Sequence, residues 1–327
     1  MSTLQAPSIT IGAEATASGP QRLLFVERQA RLLGHFGVDA ASRFLTLAQP
    51  PMRVHVLEAG QGHPVLILHG GDGQAVDWSP LMAELQSSSH VVSVDRPGFG
   101  LSDPFDYRRV DLRSHAADFV TGVLDALGLE QAILIGGSMG GFFALAAAAE
   151  RPERVRGLAL VGMPAGISRD ASLPLRLMCG LPGASSLFMR RLEKGGAKAR
   201  RKQFQGMFGT DPATIPDVYF ELQEAGLRIP GAAATWSVLV RRLASLGGFR
   251  DETLLVDDLP RIETPTLIVW GEKDMAPIAA GRAAAALLPN ASFVVLEGTG
   301  HFPFLQQPKA CADLIRDALL TGEGSVR

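Results

Sequence analysis

The stretch that decides the fold is AILIGGSMGGFFALAAAAERPERV, residues 132–155. A continuous apolar run comes first, four glycines then surround Ser138, and an alanine-rich run follows. The first run predicts a buried strand, and the alanine-rich run predicts a helix. Because glycine tolerates strained backbone angles, the spacing Gly136-x-Ser138-x-Gly140 predicts a sharp strand-to-helix turn of the nucleophile-elbow kind. The bland alternative is a glycine-rich turn with a capping serine.

The composition is that of a globular protein. Of 327 residues, 46% are hydrophobic and 20% are charged, and the formal net charge is −2. We therefore expect no general attraction to nucleic acid or to an anionic membrane. The two cysteines and the scattered histidines form no metal-ligand pattern and predict no disulfide framework. Because the N-terminus has no secretory signal and no apolar run is long enough to span a bilayer, we expect a soluble cytoplasmic protein.

Runs of Val, Ile and Leu alternate with helical patterns along most of the chain. Besides the run before Ser138, the predicted buried strands are PVLILHG (64–70), VVSVD (91–95), GLALVG (157–162), PTLIVWG (265–271) and SFVVLEG (292–298). Continuous apolar strands that alternate with helices predict an α/β fold, with a mostly parallel central sheet flanked by helices.

The alternation breaks between Pro164 and Pro260, where the pattern predicts short helices interrupted by Gly and Pro. We expect this block to form a helical cap over the carboxyl edge of the sheet, where open α/β sheets hold their sites. The predicted organisation is a flexible tail (1–20), an N-terminal helical segment (21–50), a core (51–163 and 260–327) and the cap (164–259).

A nucleophilic serine needs a base and an acid that orients the base. In this architecture the chain order is serine, then acid, then histidine. His301 is the only histidine after Ser138, so it is the candidate base. The acid belongs on the loop after the preceding strand, where GEKD (271–274) offers Asp274, which we favour, and Glu272 as the alternative.

A developing oxyanion needs two backbone N–H donors in such a site. One is expected from Met139, which follows the candidate nucleophile. The other is expected from Gly71 in LHGGDG (68–73). The alternatives for this loop are a flexible glycine turn or a phosphate-binding nest. The chemistry needs no metal and no organic cofactor.

Five segments together resemble the α/β-hydrolase superfamily in its cap-bearing branch. They are VLILHGGDG, VVSVDRPGFGLSD, LIGGSMGGFFAL, PTLIVWGEKD and LEGTGHFPFLQQP, in the family's order. The resemblance implies an α/β-hydrolase fold and a triad of Ser138, His301 and Asp274. It also implies that Asp95 and Arg96 are scaffold residues.

GGSMGG, HGG and DWSPLM are in addition similar to the carbon–carbon bond hydrolases of aromatic meta-cleavage pathways. The chain departs from that pattern at two positions, because those enzymes usually carry Asn where Gly137 stands and Trp where Phe302 stands. Asp72 also replaces the Gly or Pro that is more usual in the glycine loop. A carboxylate would repel an oxyanion, so Asp72 is expected to point away from the reacting atoms.

The cap supplies the remaining substrate hints. We expect the pocket to be lined by Trp78, Met163, Trp236 and Phe302. The run from Arg190 to Lys202 holds seven Lys and Arg residues, and it predicts a solvated helix face, with attraction of a carboxylated substrate as the alternative.

Three functions are compatible with these residues. The favoured one is a serine hydrolase that cleaves a carboxylic ester, or a similar acyl bond, of a small to medium apolar substrate. The second is a carbon–carbon bond hydrolase of the meta-cleavage type on the same triad. The third is a non-catalytic ligand-binding hydrolase fold. The expected partner is a small molecule, and the expected state is a monomer or a homodimer.

Overall fold

The computed structural model describes residues 19–321, so residues 1–18 of the predicted tail lie outside the described residues. The strands of the described part are β1 (Ala41–Leu47), β2 (Met52–Ala59), β3 (His63–Leu68), β4 (Ser89–Val94), β5 (Ala132–Ser138), β6 (Val155–Pro164), β7 (Ala244–Ser245), β8 (Gly248–Phe249), β9 (Thr266–Gly271) and β10 (Ala291–Leu296).

The α-helices of the same part are α1 (Pro20–Phe36), α2 (Ser79–Leu85), α3 (Leu112–Leu127), α4 (Met139–Glu150), α5 (Leu173–Gly180), α6 (Ala184–Phe208), α7 (Asp217–Leu227), α8 (Ala232–Leu243), α9 (Ile278–Leu287), α10 (Pro303–Gln306) and α11 (Pro308–Ile315). A one-turn 3₁₀ helix at Ala75–Trp78 precedes α2, and a π-helical turn at Arg316–Leu320 continues α11.

Eight strands form the central sheet in the order β1-β2-β4-β3-β5-β6-β9-β10. The pairs β1–β2 and β2–β4 are antiparallel, and every other pair in this sheet is parallel. The sheet is therefore mostly parallel, as the alternation of strand and helix patterns predicted. Parallel strands point their carboxyl ends at one edge, so the loops after β3, β5, β9 and β10 meet there.

Both faces of the sheet are buried at the central strand β5. Along β5, Leu134 packs in the hydrophobic cluster on one face, while Ile133 and Ile135 pack in the cluster on the other. This two-residue period explains why β5 reads as an uninterrupted apolar run, since each face needs an apolar side chain. The strand is thereby fixed in the middle of the core, with Ser138 at its carboxyl end.

The prediction of helix across the N-terminal segment was wrong for its second half. Helix α1 ends at Phe36 and is followed by Gly37, whose φ of 67° is left-handed, and residues 41–47 form strand β1 instead. Leu45 and Leu47 are buried two residues apart and face the core, which is strand spacing. In so short a segment the apolar residues fitted both periods, and pairing with β2 favoured the strand.

The insertion between β6 and β9 is mainly helical, as predicted, with the two-residue strands β7 and β8 as an addition. Its longest helix, α6, is broken at Gly196, which has a left-handed φ of 53°. Helix α1 packs against α7 of this insertion, and Arg28 and Arg31 lie 2.5 and 2.9 Å from the same carboxylate oxygen of Glu221. The N-terminal helix thus contacts the helical insertion directly.

Candidate active site

Ser138 lies at the junction of β5 and α4 with φ 53° and ψ −121°. It is the only non-glycine residue with positive φ among residues 19–321. The neighbouring glycines are required by space: a Cβ on Gly140 would lie 1.9 Å from the carbonyl oxygen of Leu68, and one on Gly136 would lie 2.5 Å from Gly140. The structure therefore has the strained strand-to-helix turn that the spacing predicted.

His301 and Asp274 are in direct contact. Nδ1 of His301 lies 2.7 Å from Oδ1 of Asp274, and both side chains are almost completely buried. The backbone N–H of Met163, in β6, donates to Oδ2 of Asp274 at 2.9 Å, and the N–H of Met275 donates to Oδ1 at 2.6 Å. These bonds fix the carboxylate against the imidazole and leave Nε2 of the histidine as its free nitrogen.

Glu272, the alternative acid, is occupied elsewhere. Its carboxylate accepts a hydrogen bond of 2.9 Å from the backbone N–H of Gly298, on the loop after β10. Ser138 and His301 line the same cavity. Among the described residues, the hydroxyl of Ser138 makes no direct hydrogen bond to the imidazole, and such bonds are often long before a substrate binds.

The glycine loop after β3 is hydrogen-bonded to Arg96, which is completely buried. Its guanidinium donates to the carbonyl oxygens of His69, Gly70 and Gly71 at 3.0, 2.7 and 2.9 Å. In a planar trans peptide the N–H points opposite to the preceding carbonyl. With the Gly70 carbonyl turned to Arg96, the N–H of Gly71 is turned away from Arg96.

Arg96 therefore does more than the turn scaffold predicted for it, because it sets the orientation of the glycine loop. Burial lowers the pKa of Arg96 to about 10, which still leaves it charged at neutral pH. Burial, with the Arg96 charge as the second cause, lowers the pKa of His69 to about 3. The neutral His69 ring accepts a hydrogen bond of 2.9 Å from the backbone N–H of Arg96, which gives it a structural role.

The two predicted oxyanion donors belong to the glycine loop after β3 and to the first residue of α4. Gly71 lines the cavity, and a Cβ on Gly70 would come within 3.4 Å of the Cβ of Ser138. Met139 is buried as the first residue of α4. The glycine loop and the start of α4 thus converge on the serine, as a two-donor site requires.

The cavity above Ser138 has a volume of about 1070 Å³, its open mouth included. All four predicted lining residues face it: Trp78, Met163, Trp236 and Phe302. Trp78 is stacked on Phe304 with ring centroids 3.7 Å apart, so it forms a rigid wall. Further apolar lining comes from the insertion, at Leu175, Met178, Val240, Leu243 and Phe249.

One side of the cavity is polar, which the sequence did not predict. Arg200, within the basic run of α6, is 1% exposed and donates to Oδ2 of Asp72 at 2.6 Å. The prediction of a solvated face fails for this residue, whereas its neighbours Arg190, Arg191, Lys194, Lys198 and Lys202 are exposed. The ion pair neutralises the carboxylate that follows Gly71, so Asp72 is turned to a cation and not to the reacting atoms.

Within residues 19–321, no three His, Cys, Asp or Glu side chains are grouped so that they could hold a metal ion. The helices of this same range include none that is both long and apolar enough to cross a bilayer.

Comparison with known families gives a match over most of the chain. The family described as the alpha/beta hydrolase family matches residues 65–314. The chain is an α/β hydrolase. The fold, the mostly parallel sheet and the turn at Ser138 are those that the resemblance implied.

Two curated relatives of this α/β hydrolase carry names that state a substrate. A 2-hydroxy-6-oxo-6-phenylhexa-2,4-dienoate hydrolase of Burkholderia cepacia is 30% identical over 87% of this chain and 98% of its own length. A 2-hydroxymuconate semialdehyde hydrolase of Pseudomonas sp. strain CF600 is 31% identical over 84% of this chain and 93% of its own length. Among solved structures, a carboxylesterase of Bacillus subtilis superposes with a TM-score of 0.72 at 22% identity and covers 92% of this α/β hydrolase and 99% of its own chain. At that identity the likeness concerns the fold.

Proposed function

We propose that this α/β hydrolase is a serine hydrolase that cleaves a carboxylic ester, or a similar acyl bond, of a small to medium apolar substrate. The observation that carries the proposal is the 2.7 Å contact between His301 and the buried Asp274, on a cavity that Ser138 also lines. The mainly apolar lining of that cavity supports an apolar substrate.

In the proposed reaction, Nε2 of His301 takes the proton of Ser138 while the serine oxygen attacks the acyl carbon. The N–H groups of Gly71 and Met139 stabilise the resulting oxyanion. When the tetrahedral species collapses, the bond to the leaving alkoxide breaks, and His301 gives its proton to that oxygen. Water, activated by the same histidine, then attacks the acyl-enzyme and releases the carboxylic acid and free Ser138.

Asp274 has an orienting part in this scheme. It holds Nδ1 of the imidazole, so the tautomer with Nε2 free to accept a proton is favoured. Its other oxygen is bonded to the N–H of Met163, which ties the acid to the carboxyl end of β6. Because the Asp274 side chain is already fixed, it loses little conformational entropy when the imidazolium forms.

The second candidate is hydrolysis of a carbon–carbon bond of the meta-cleavage type. It is supported by the two curated relatives, which are named as hydrolases of a 2-hydroxy-6-oxo-dienoate and of 2-hydroxymuconate semialdehyde. The chain departs from the usual pattern of the meta-cleavage enzymes at Gly137, where they usually carry Asn. A Cβ on Gly137 would lie 2.5 Å from the carbonyl oxygen of Val161, so this backbone is built for glycine.

The test combines labelling and turnover. A fluorophosphonate probe is expected to label Ser138 in the wild type and to fail in Ser138→Ala and His301→Ala, with intact mass and peptide mapping as the readouts. With p-nitrophenyl butyrate, Asp274→Asn is expected to lower kcat on the order of 10⁴-fold. The matched control Glu272→Gln is expected to stay within about threefold, since the amide oxygen of glutamine can still accept from the backbone N–H of Gly298.

Labelling of another residue, or none in a folded wild type, would overturn the proposed triad. Equal losses in Asp274→Asn and Glu272→Gln would remove the assignment of the acid. Turnover of a 2-hydroxy-6-oxo-dienoate without turnover of any ester would select the carbon–carbon bond reaction.

A further inference from the structure

The outer side of the helical insertion exposes a cluster of leucines. Seven large apolar side chains are well exposed within residues 19–321, and five of them lie on this insertion. We call these five the leucine patch: Leu173, Leu177, Leu181, Leu187 and Leu246, which are between 42% and 64% exposed. A single exposed leucine needs no explanation, but a group of them on a surface that faces water marks an interaction site.

The leucine patch is continuous along α5. Leu173 and Leu177 are four residues apart on this helix, so they share a face. Gly180, three residues further, lies on the same face, and a Cβ there would lie 2.7 Å from Cγ of Leu246. Leu181 follows the helix directly, and its carbonyl oxygen accepts a hydrogen bond of 3.2 Å from the first N–H of α6. The patch therefore forms one apolar stripe on α5 that leads to the start of α6.

The opposite side of α5 faces the substrate cavity. Leu175 and Met178 line that cavity, so α5 is apolar on both its inner and its outer side. A helix that is apolar all round is normally buried on all sides. Here the protein covers only the inner side, which leaves the outer side for a partner.

Cations without an acidic partner border the patch. Arg190, Arg191 and Lys194 stand three, four and seven residues after Leu187, so the four side chains lie on one face of α6, and all are exposed. The ion pairs that α6 forms within residues 19–321 both lie beyond the break at Gly196, so these three cations have no acidic partner there. Residues 169–202 hold nine Lys and Arg residues and two acids, whereas the formal net charge of the whole chain is −2. The positive charge is therefore local to this face.

We propose that the leucine patch and the cations of α6 form a docking surface for an anionic lipid membrane. Leucine side chains can enter the boundary between head groups and acyl chains while Lys and Arg bind the lipid phosphates, as in other interfacial helices. A second copy of this chain fits less well, because a twofold interface would place the same cations against one another. In the docked protein α5 lies between the lipid and the substrate cavity. The docking goes beyond the proposed hydrolysis and does not depend on it.

Co-sedimentation of the full chain with large lipid vesicles tests the docking without any substrate. Vesicles of phosphatidylcholine alone are compared with vesicles made of equal parts of phosphatidylcholine and phosphatidylglycerol. We expect binding to the anionic vesicles to be at least about 10-fold tighter, since each cation near an anionic surface contributes about fivefold. Raising NaCl from about 50 mM to about 500 mM is expected to remove most of this difference, because salt screens the attraction.

Matched variants locate the surface. Leu177→Asp on the patch and Leu287→Asp on α9 change leucines of nearly equal exposure, 42% and 40%. The first is expected to weaken vesicle binding about 10-fold or more, and the second to leave it within about twofold. Arg191→Glu is expected to weaken binding to the anionic vesicles about 10-fold, whereas Arg156→Glu, which changes an exposed cation at the amino end of β6, is expected to keep wild-type binding. Melting temperature identifies a variant that has not folded, and Leu187→Asp then replaces Leu177→Asp.

A wild type that sediments with neither kind of vesicle, or equally with both, would overturn the docking surface, as would unchanged binding in Leu177→Asp. Sedimentation velocity without lipid tests the second copy: a wild-type dimer that Leu177→Asp converts to a monomer, and that binds no vesicles, would assign the patch to self-association. Vesicle binding that appears only after residues 1–18 are removed would assign the patch to that segment. Since no ester is present, none of these outcomes depends on the proposed hydrolysis.

Discussion

The backbone N–H of His301 donates a hydrogen bond of 2.8 Å to the carbonyl oxygen of Phe208, the last residue of α6. The Phe208 ring also lies on the imidazole, with centroids 5.4 Å apart and an interplanar angle of 17°. The next residue, Gly209, has a φ of 59°, and a Cβ there would lie 1.8 Å from the carbonyl oxygen of Lys273. The end of α6 is thus held between the loops of the proposed base and the proposed acid.

The Gly209→Ala variant is expected to separate these elements. Its methyl group must displace either α6 or the Lys273 loop, and its backbone is strained at positive φ. We expect a lower melting temperature and a kcat/KM reduced at least 10-fold toward p-nitrophenyl butyrate, since small displacements of reacting groups are costly.

Gly206→Ala is the matched control for this change, because it lies on the same helix and a Cβ there would meet nothing within 4 Å. It is expected to retain activity and to be as stable as the wild type or more so, by up to about 1 kcal/mol. Equal behaviour of the two alanine variants would show that the end of α6 does not position His301.

The parts of the site that sequence alone predicted are those set by local pattern or by chain order. The glycines around Ser138 fix a turn that can be read within a few residues. His301 followed from being the only histidine downstream of Ser138. Asp274 followed from its place after a strand, and its contact with the imidazole agrees with that choice over Glu272.

The parts that sequence did not predict depend on contacts between distant segments. Arg200 lies 128 residues from Asp72 along the chain, and nothing in a run of basic residues shows which one is buried. Arg96 lies 25 residues from Gly71 along the chain. Its hydrogen bonds to the loop carbonyls form only when the sheet packs and brings the two segments together. Strand β1 was missed because only its pairing with β2 distinguishes it from a continued helix.

Arg96 provides a prediction about the glycine loop. Arg96→Lys keeps the charge, but an ammonium group cannot donate to all three carbonyls that the guanidinium binds. The N–H of Gly71 is therefore expected to lose its fixed direction. We expect kcat to fall on the order of 100-fold with KM changed little, as for loss of an oxyanion donor. Steady-state kinetics measures this, with melting temperature as the check on folding.

Arg108→Lys is the control, because Arg108 is exposed and bonds only to Asp106. It is expected to match the wild type in both constants. A mainly raised KM in Arg96→Lys, with kcat retained, would place its effect in substrate binding and contradict an orienting role on the oxyanion.

The strained backbone of Ser138 predicts that the protein gains stability when the strain at the nucleophile is relieved, although activity is lost. A non-glycine residue at φ 53° and ψ −121° costs on the order of 1–3 kcal/mol. Ser138→Gly and Ser138→Ala both remove the nucleophile, but only glycine releases the strain. We expect the glycine variant to unfold at a higher urea concentration than the alanine variant. Its free energy of unfolding is expected to be larger by on the order of 1 kcal/mol. An alanine variant as stable as the glycine variant would show that the turn is not strained.

His115 predicts how stability depends on pH. It is 7% exposed, its Nε2 has no partner in residues 19–321, and its ring stacks on Phe105 at 4.5 Å. Burial, aided by the charge of Arg96, lowers its pKa to about 4. The folded protein therefore resists protonation of this ring while the unfolded chain accepts it near pH 6.5, so stability is present above pH 6.5 and is lost as pH falls toward 4.

The His115→Phe variant is expected to lose less stability than the wild type across this window. The difference has an upper limit of about 3 kcal/mol at pH 4, and at pH 7 the variant is expected to be at least as stable, because it removes an unpartnered polar atom. Urea unfolding at pH 7, 6, 5 and 4 measures the difference. His63→Gln, which changes an exposed histidine, is expected to leave the wild-type slope unchanged. A parallel decline of stability in wild type and His115→Phe would show that this ring is not the group that resists protonation.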